Sequence, residues 1–459
     1  MSLVTAKNEK NKRDKWGSKI GFVLAAAGSA VGLGNLWKFP YSVGNNGGGA
    51  FVMIYMIFLI LIGLPLMLAA ITLGRKTQLS AVGAYRSLKK NWAFVGGLGV
   101  LCGFFILAFY STVGGWVIYY CIKAFTGGLA IKDPEVLGGI FGGFISSPAS
   151  SIMYQGIFLI LTLLIVIRGI SSGIEKASKI MMPALFGMII LIAIRSVTLP
   201  GASAGIEFFL VPDFSKINMD VVMNALGQVF FSLSIGMGVM VTYGSYLDKD
   251  TNLLGPAASI PVLDTMVAIL AGFATLPAVF AIGFKASSGP GLMFVTLPAV
   301  FASMPFGKLF CILFFVLVLF AALTSSISML EVCVSYFVDE KGANRTKAAM
   351  MIIVIMYIVG IPAALSMGPW KDLHILGNLN FFDFYDKLTS NILLTSGGLL
   401  LSIFVGWIWG ADNAIEEIEK MGVKFTLAPL WKFLIKYIVP PAVFIILINS
   451  FKSVIAAIF

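Results

Sequence analysis

Asp264 is the one acid in an apolar block that runs from about 255 to 284. At bilayer depth an ionised carboxylate costs about 2.5–3.5 kcal/mol on insertion scales, so something must neutralise it. No lysine or arginine lies near it in sequence, which leaves a bound cation, a proton, or a basic residue brought in from elsewhere. Thr324, Ser325 and Ser326 place three hydroxyls in a second apolar block. Such hydroxyls either ligate an ion or bond back to the preceding helical turn. Hydroxyls combined with free carbonyls suit a hard cation such as sodium better than a thiolate-seeking metal. Two further runs bear on where free carbonyls could arise: Gly28-Ser29-Ala30-Val31-Gly32-Leu33-Gly34-Asn35, and Ser232-Leu233-Ser234-Ile235-Gly236-Met237-Gly238. Each glycine weakens a helix by about 1 kcal/mol relative to alanine. Taken singly, either run could be a small-residue packing face or a helix break whose freed amides and carbonyls become ligands.

The elements that must position these residues cross a membrane. Apolar residues make up 59% of the 459 and charged residues 12%, far from the balance of a soluble domain. A span needs roughly 20 apolar residues, because hydrocarbon offers no partner to backbone N–H and C=O groups. Blocks of that kind fall near 17–43, 47–72, 93–125, 150–168, 178–199, 220–246, 255–284, 308–338, 348–366, 388–410 and 432–457, about eleven spans. They are continuous runs and lack the ten-residue alternation of a β-barrel. The two glycine-rich runs sit mid-span in the first and sixth blocks, corresponding places in two five-helix halves, and that pairing points to an inverted repeat with a binding site at the midplane. The expected fold is an all-α polytopic membrane protein with two inverted five-helix repeats, broken first and sixth helices, and one further helix. Residues 1–16 then form an N-terminal cytoplasmic segment, 17–199 the first repeat, 200–219 an outer connection, 220–410 the second repeat, and 411–459 an inner loop and the eleventh span.

Cations set the expected orientation. Lys7, Lys10, Lys12, Arg13, Lys15 and Lys19, with Arg75, Lys76, Arg86, Lys89, Lys90, Lys341, Arg345 and Lys347, mark one side as cytoplasmic, and an odd number of spans puts the C-terminus outside. This bias and anionic lipid account for the net charge of +11 without a nucleic-acid partner. The first apolar block is too long for a cleaved signal and lacks a small-residue cleavage site, so it stays as a span. Cys102, Cys121, Cys311 and Cys333 fall within spans without metal-ligand spacing, and His374 is the only histidine. A histidine-based triad or zinc site is hardly buildable, and HExxH, GxSxG, paired intramembrane aspartates and a channel filter repeat are all missing.

The stretch GSAVGLGNLWKFP from Gly28 to Pro40, followed by NNGGGAF, resembles the first-helix signature of the neurotransmitter:sodium symporter family. The likeness continues through Tyr110 and Trp116, FFSLSIGMG and TYGSYL in the sixth span, and ALTSSIS in the eighth. It implies sodium-driven import of an L-amino acid by alternating access across a bacterial inner membrane, with two Na+ sites, no organic cofactor and no obligate protein partner. One sodium would be held by the Ala30 carbonyl, Asn35, Ser232, Asp264 and the substrate carboxylate. The other would be held by the carbonyls of Gly28, Val31 and Ala321 with the hydroxyls of Thr324 and Ser325. The substrate carboxylate would meet the amides of Leu33 and Gly34 and the Tyr110 hydroxyl, as the positive end of a broken helix favours. Ile106, Phe231, Ser234, Met237 and Met329 would surround its side chain, the two methionines forming an adaptable wall suited to large apolar or aromatic groups.

Particular residues refine that implication. Monoamine-carrying relatives have an aspartate where Gly32 stands; glycine would leave that place empty and favour substrates that bring their own carboxylate. Asp264 matches an asparagine in a bacterial relative, and its fixed charge would substitute for a bound chloride. Lys38 replaces the arginine usual at the outer gate, so its pairing with Asp386 would be looser. Arg13, Trp16, Tyr246 and Asp339 match an inner gate. Gly173 and Pro183 match a glycine-nine-residues-proline motif that lets the fifth helix unwind at its inner end.

Overall fold

The computed structural model describes residues 13–283 and 290–458; Lys7, Lys10 and Lys12 of the basic N-terminal segment lie outside the described residues. Among the described residues the chain is helical, with two isolated bridges, Gly48 to Pro212 and Leu376 to Leu379. The first half comprises α1 (Lys19–Ala30), α2 (Gly34–Asn45), α3 (Gly49–Thr77), α4 (Ala81–Leu88), α5 (Ala93–Thr126), α6 (Pro134–Ile145), α7 (Pro148–Val166) and α8 (Ile170–Val197). After α9 (Ala202–Leu210), the second half comprises α10 (Met219–Ser232), α11 (Val239–Gly244), α12 (Leu254–Ala281), α13 (Leu292–Ala302), α14 (Gly307–Lys341), α15 (Arg345–Leu365) and α16 (Phe381–Ile408). α17 (Ala411–Ile418) and α18 (Ala428–Ile458) complete the chain. Side chains of Ser18, Ser80, Asp133, Ser147, Asn218 and Asn344 accept from the first-turn amides of the helices that follow them, groups with no partner inside the helix.

The lengths of the elements carry the repeat. Each half opens on a broken helix, α1 with α2 and α10 with α11. Then follow α3 and α12 with 29 and 28 residues, α5 and α14 with 34 and 35, α7 and α15 with 19 and 21, and α8 and α16 with 28 each. A short helix sits between the second and third members in both halves, α4 in one and α13 in the other. The two longest helices, α5 and α14, pack against each other and give the broken helices a fixed wall.

Nine helices among the described residues are long and apolar enough to span a membrane, or ten if the α1 and α2 pair, bent by 51°, is one span. The expected sixth span, near 220–246, is divided into α10 and α11 and so drops out of the eleven. At about 1.5 Å per residue the 14 residues of α10 reach about 21 Å, short of the roughly 30 Å of a hydrocarbon core. The break that marks the site is thus what lowers the count.

Glycines decide how close the broken pieces come to their neighbours. A Cβ on Gly74 would stand 2.1 Å from the Val241 carbonyl, and one on Gly244 2.6 Å from that of Ile71, so α3 and α11 meet backbone to backbone. Gly236, at φ +96°, leaves 2.2 Å between such a Cβ and the Leu394 carbonyl, in a backbone region that only glycine adopts freely.

At the basic end Arg75 and Glu417, 1% and 2% exposed, pair at 3.3 Å. Arg75 also donates to the Thr251 carbonyl at 2.5 Å, and Lys420 sits 2.5 Å from the second Glu417 oxygen. The pair joins α3, the loop before α12, and α17. Glu417→Ala should strand the Arg75 charge and cost about 3 kcal/mol, the low end for breaking a buried pair, because the carbonyl contacts remain. A thermal melt of the purified protein should show a midpoint several degrees lower; an unchanged midpoint would mean that solvent reaches the guanidinium.

Candidate functional site

The helical pattern of α1 stops at Ala30, and Val31 turns to φ −71°, ψ 101°. The Gly32 amide then points to the Asn35 side chain at 3.4 Å and not back to Gly28. The chain resumes as a wide turn over Gly34–Lys38. In the sixth span, α10 ends at Ser232, and Ser234, Gly236 and Gly238 all have positive φ before α11 begins. The two breaks face each other: the Ser234 hydroxyl approaches the Ser29 carbonyl at 3.4 Å, and Ser325 of α14 donates to the same carbonyl at 3.2 Å.

Asp264 of α12 is fully buried beside the breaks. Its Oδ1 accepts from Asn35 Nδ2 at 2.8 Å and its Oδ2 from Ser232 Oγ at 2.6 Å. Among the described residues no basic side chain forms an ion pair with it, so its charge meets only neutral donors. The Tyr55 hydroxyl adjoins Ser232, Thr265 and Asp264; it and the Thr265 hydroxyl are buried and, among the described residues, make no well-formed hydrogen bond. Asn35, Ser232 and Asp264 are therefore gathered in one place, with polar atoms in excess of their partners.

The second group is gathered around α14. Ser325 Oγ lies 3.5 Å from the Val31 carbonyl, and the Gly28 Cβ position is 3.1 Å from the Thr324 side chain. Thr324 Oγ1 donates back to the Phe320 and Ala321 carbonyls, each at 3.0 Å; this is the local bond open to any helical threonine, and it leaves the oxygen's lone pairs free.

A cavity of about 240 Å³ is lined by Ala30, Gly32, Leu33, Gly34, Ile106, Tyr110, Phe231, Ser234, Met237, Ser325 and Met329. The Tyr110 hydroxyl is buried there beside Leu33 and Ser325 and, among the described residues, makes no well-formed hydrogen bond. The place beside Gly32 is not empty: a Cβ there would stand 2.6 Å from Ser325 Oγ and 3.5 Å from the Tyr110 hydroxyl. Glycine is needed here for close approach. Phe109, Val113 and Phe382 also line the cavity. The first two follow from Ile106 and Tyr110 by helical spacing, whereas Phe382 comes from a distant element with no local signal.

The basic end is closed. Arg13 pairs with Asp339 at 2.9 Å, donates to Ser245 at 2.8 Å, and lies over the Tyr246 ring at 4.7 Å. Trp16 is buried, with its Nε1 donating to the Tyr243 carbonyl at 2.9 Å. Sequence reasoning missed the next layer. Tyr246 donates its hydroxyl proton to Glu331 at 2.6 Å, and Arg345 donates to the same carboxylate. Glu331 is an acid inside an apolar block, the same signal that singled out Asp264. At the other end, Lys38 and Asp386 line the cavity but form no ion pair among the described residues. Lys38 Nζ lies 4.0 Å from the Phe231 ring centroid, and Asp386 accepts from Ser390 at 2.8 Å. Gly173 and Pro183 lie in wound helix, so the fifth span is not unwound in this structure. A Gly173 Cβ would stand 2.3 Å from the Ile165 carbonyl, which gives that glycine a packing role.

A family model described as the sodium:neurotransmitter symporter family matches residues 13–136 and 150–458. A sodium-dependent transporter of Bacillus subtilis, YhdH, is 43% identical over 440 residues, 95% of this chain and 97% of that one. A human sodium- and chloride-dependent taurine transporter is 28% identical over 475 residues, covering 91% of this chain and 74% of its own. Among solved structures, MhsT in complex with L-phenylalanine is similar, with a TM-score of 0.89 at 43% identity over 95% of this chain and 100% of that one.

Glu331→Gln keeps the shape of the layer behind Trp16 and removes the charge that Arg345 and Tyr246 share. A loss of one to two kcal/mol corresponds to a factor of about 5–30. Amide exchange over residues 13–18 and 243–246 should quicken by about that factor; exchange confined to wild-type rates would show that Glu331 does not brace this end.

Proposed function

We propose that this chain, which belongs to the sodium:neurotransmitter symporter family, uses an inward sodium gradient to import a hydrophobic or aromatic L-amino acid. It is a sodium-dependent membrane transporter and not an enzyme. The finer reading rests above all on Asp264, a buried carboxylate that accepts from Asn35 and Ser232 and, among the described residues, has no basic partner. A sodium ion among these groups and the Ala30 carbonyl would neutralise it and leave one ligand position for a substrate carboxylate. A second ion would sit among Gly28, Val31, Ala321, Thr324 and Ser325. The neighbouring cavity favours an apolar side chain, since Ile106, Phe109, Phe231, Met237 and Met329 line it. The L-phenylalanine bound to MhsT supports that class for this chain.

Arg13, Trp16, Tyr246 and Asp339 would open to release cargo into the cytoplasm, and Lys38, Phe231 and Asp386 would close over the cavity from outside. Without an ion pair, the outer lid would close through Lys38 stacking on Phe231, a contact worth about 0.5–2 kcal/mol. The basic end would face the cytoplasm of a bacterial inner membrane, and the C-terminus would lie outside. Because Asp264 supplies a fixed charge beside the ion, chloride would be dispensable.

Uptake into proteoliposomes tests the reading. An inward sodium gradient should drive L-phenylalanine, L-tyrosine, L-tryptophan or L-leucine inward with chloride replaced by gluconate, and potassium in place of sodium should abolish uptake. Asp264→Asn should lose uptake or acquire a chloride requirement. Uptake driven by a proton gradient alone, or a chloride-free Asp264→Asn as active as wild type, would overturn the ion assignment.

A further inference from the structure

Glu175 has no part in either proposed ion site or in the gate around Arg13, yet it is 2% exposed and its surroundings are built to hold it. It ends the wide turn Ile170–Glu175 at the start of α8. Its Oε2 accepts from the Gly17 amide at 2.6 Å, and its Oε1 from the Ser18 hydroxyl at 2.8 Å. Ser18 is itself the N-cap of α1, accepting from the Gly21 amide at 3.0 Å. Lys179, one turn along α8, lies 2.6 Å from Oε1. A Cβ on Gly21 would stand 2.2 Å from Glu175 Oε1 and 2.3 Å from its carboxyl carbon, so the seat exists only because residue 21 has no side chain. An acid at this place also meets the positive end of the α1 dipole.

The same helix reaches α1 again farther along. Met182, two turns beyond Glu175, has its Sδ 3.2 Å from the Gly28 Cβ position. α8 thus holds α1 at its first turn through Glu175 and at its last turn through Met182, beside the carbonyls of Gly28 and Val31. Twelve residues make a rod of about 18 Å, and a shift at one end is felt at the other.

We propose that Glu175 is a positioning residue for cation release: it latches the inner end of α1 to α8, and the cytoplasmic route to the Gly28 and Thr324 region opens only when its carboxylate lets go of Gly17 and Ser18. This rests on the transport reading above for its direction and its cargo. Trp16 ties the same stretch of chain to the sixth span and Arg13 ties it to the eighth. Glu175 adds the fifth, the element that carries Gly173 and Pro183.

The test uses the full-length protein in inside-out vesicles, with a reporter cysteine at Ser178, which is 2% exposed. The four buried native cysteines are left in place, and the parent without the reporter serves as blank. In saturating sodium, Glu175→Gln and Gly21→Ala should each raise labelling by a membrane-impermeant thiol reagent about tenfold. Glu175→Asp, which keeps the charge, should recover part of the protection. In parallel, both latch variants should raise the sodium concentration for half-maximal L-phenylalanine binding severalfold, leaving affinity at saturating sodium near that of the parent. Labelling equal to the parent in both variants overturns the latch, as does a loss of affinity that is equal at every sodium concentration. The labelling arm needs no substrate. A parent without sodium-dependent binding would therefore count against the transport reading, while labelling would still decide the latch.

Discussion

Asp264 is a carboxylate at membrane depth that accepts from the Asn35 amide and the Ser232 hydroxyl and, among the described residues, forms no ion pair. Neutral donors ease the loss of water but do not cancel the charge, and low dielectric strengthens whatever Coulomb term is left. A mobile cation would meet that need in a way that a resident lysine would not, because it can be given up. The remainder of the site follows from the same demand: oxygen ligands must be brought to a point where an intact helix would keep its carbonyls to itself. Breaking α1 at Val31 and the sixth span after Ser232 supplies them, and the hydroxyls of Ser232, Thr324 and Ser325 are within reach.

Broken helices are tolerated in hydrocarbon only when buried in protein, which explains the wall around them. The long pair α5 and α14 stands on one side, and the glycine contacts of Gly74, Gly236 and Gly244 close the other to backbone distance. The two ends are held differently. At the basic end Arg13, Trp16, Glu175 and Glu331 each tie the first-helix region or its neighbours by a different bond. At the other end Lys38 rests on an aromatic ring and Asp386 on a serine. The base is closed and charge-bonded, and the mouth is lightly held.

Much of this was legible in the sequence because it broke a rule. An acid in an apolar block, and two glycine runs at matching places in two halves, are costly unless something depends on them; Asp264, Asn35 and Ser232 are brought together as that cost implies. Glu331 carries the same signal, an acid in an apolar block, and it meets the Tyr246 hydroxyl and the Arg345 guanidinium. Other features depend on distance between elements and leave no local trace. Gly32 looked like a vacancy, but the Ser325 hydroxyl fills the space beside it. Lys38 and Asp386 looked like a pair, but the lysine settles on Phe231. The sixth span could not be counted by length, because the break that makes it useful makes it short. The wound state of Gly173 to Pro183 belongs to one conformation, and a sequence is silent on which conformation is seen.

The central claim is that the substrate's own carboxylate completes the sodium shell around Asp264. Linkage makes this measurable, since two ligands that share a contact must tighten each other by the same factor. Sodium binding should be titrated calorimetrically in the presence of saturating L-phenylalanine, of phenethylamine, which has the same side chain and amine without the carboxylate, and of neither. The account predicts that L-phenylalanine tightens sodium binding by about tenfold or more, and that phenethylamine leaves it near the ligand-free value. Equal tightening by both compounds, or by neither, would contradict it.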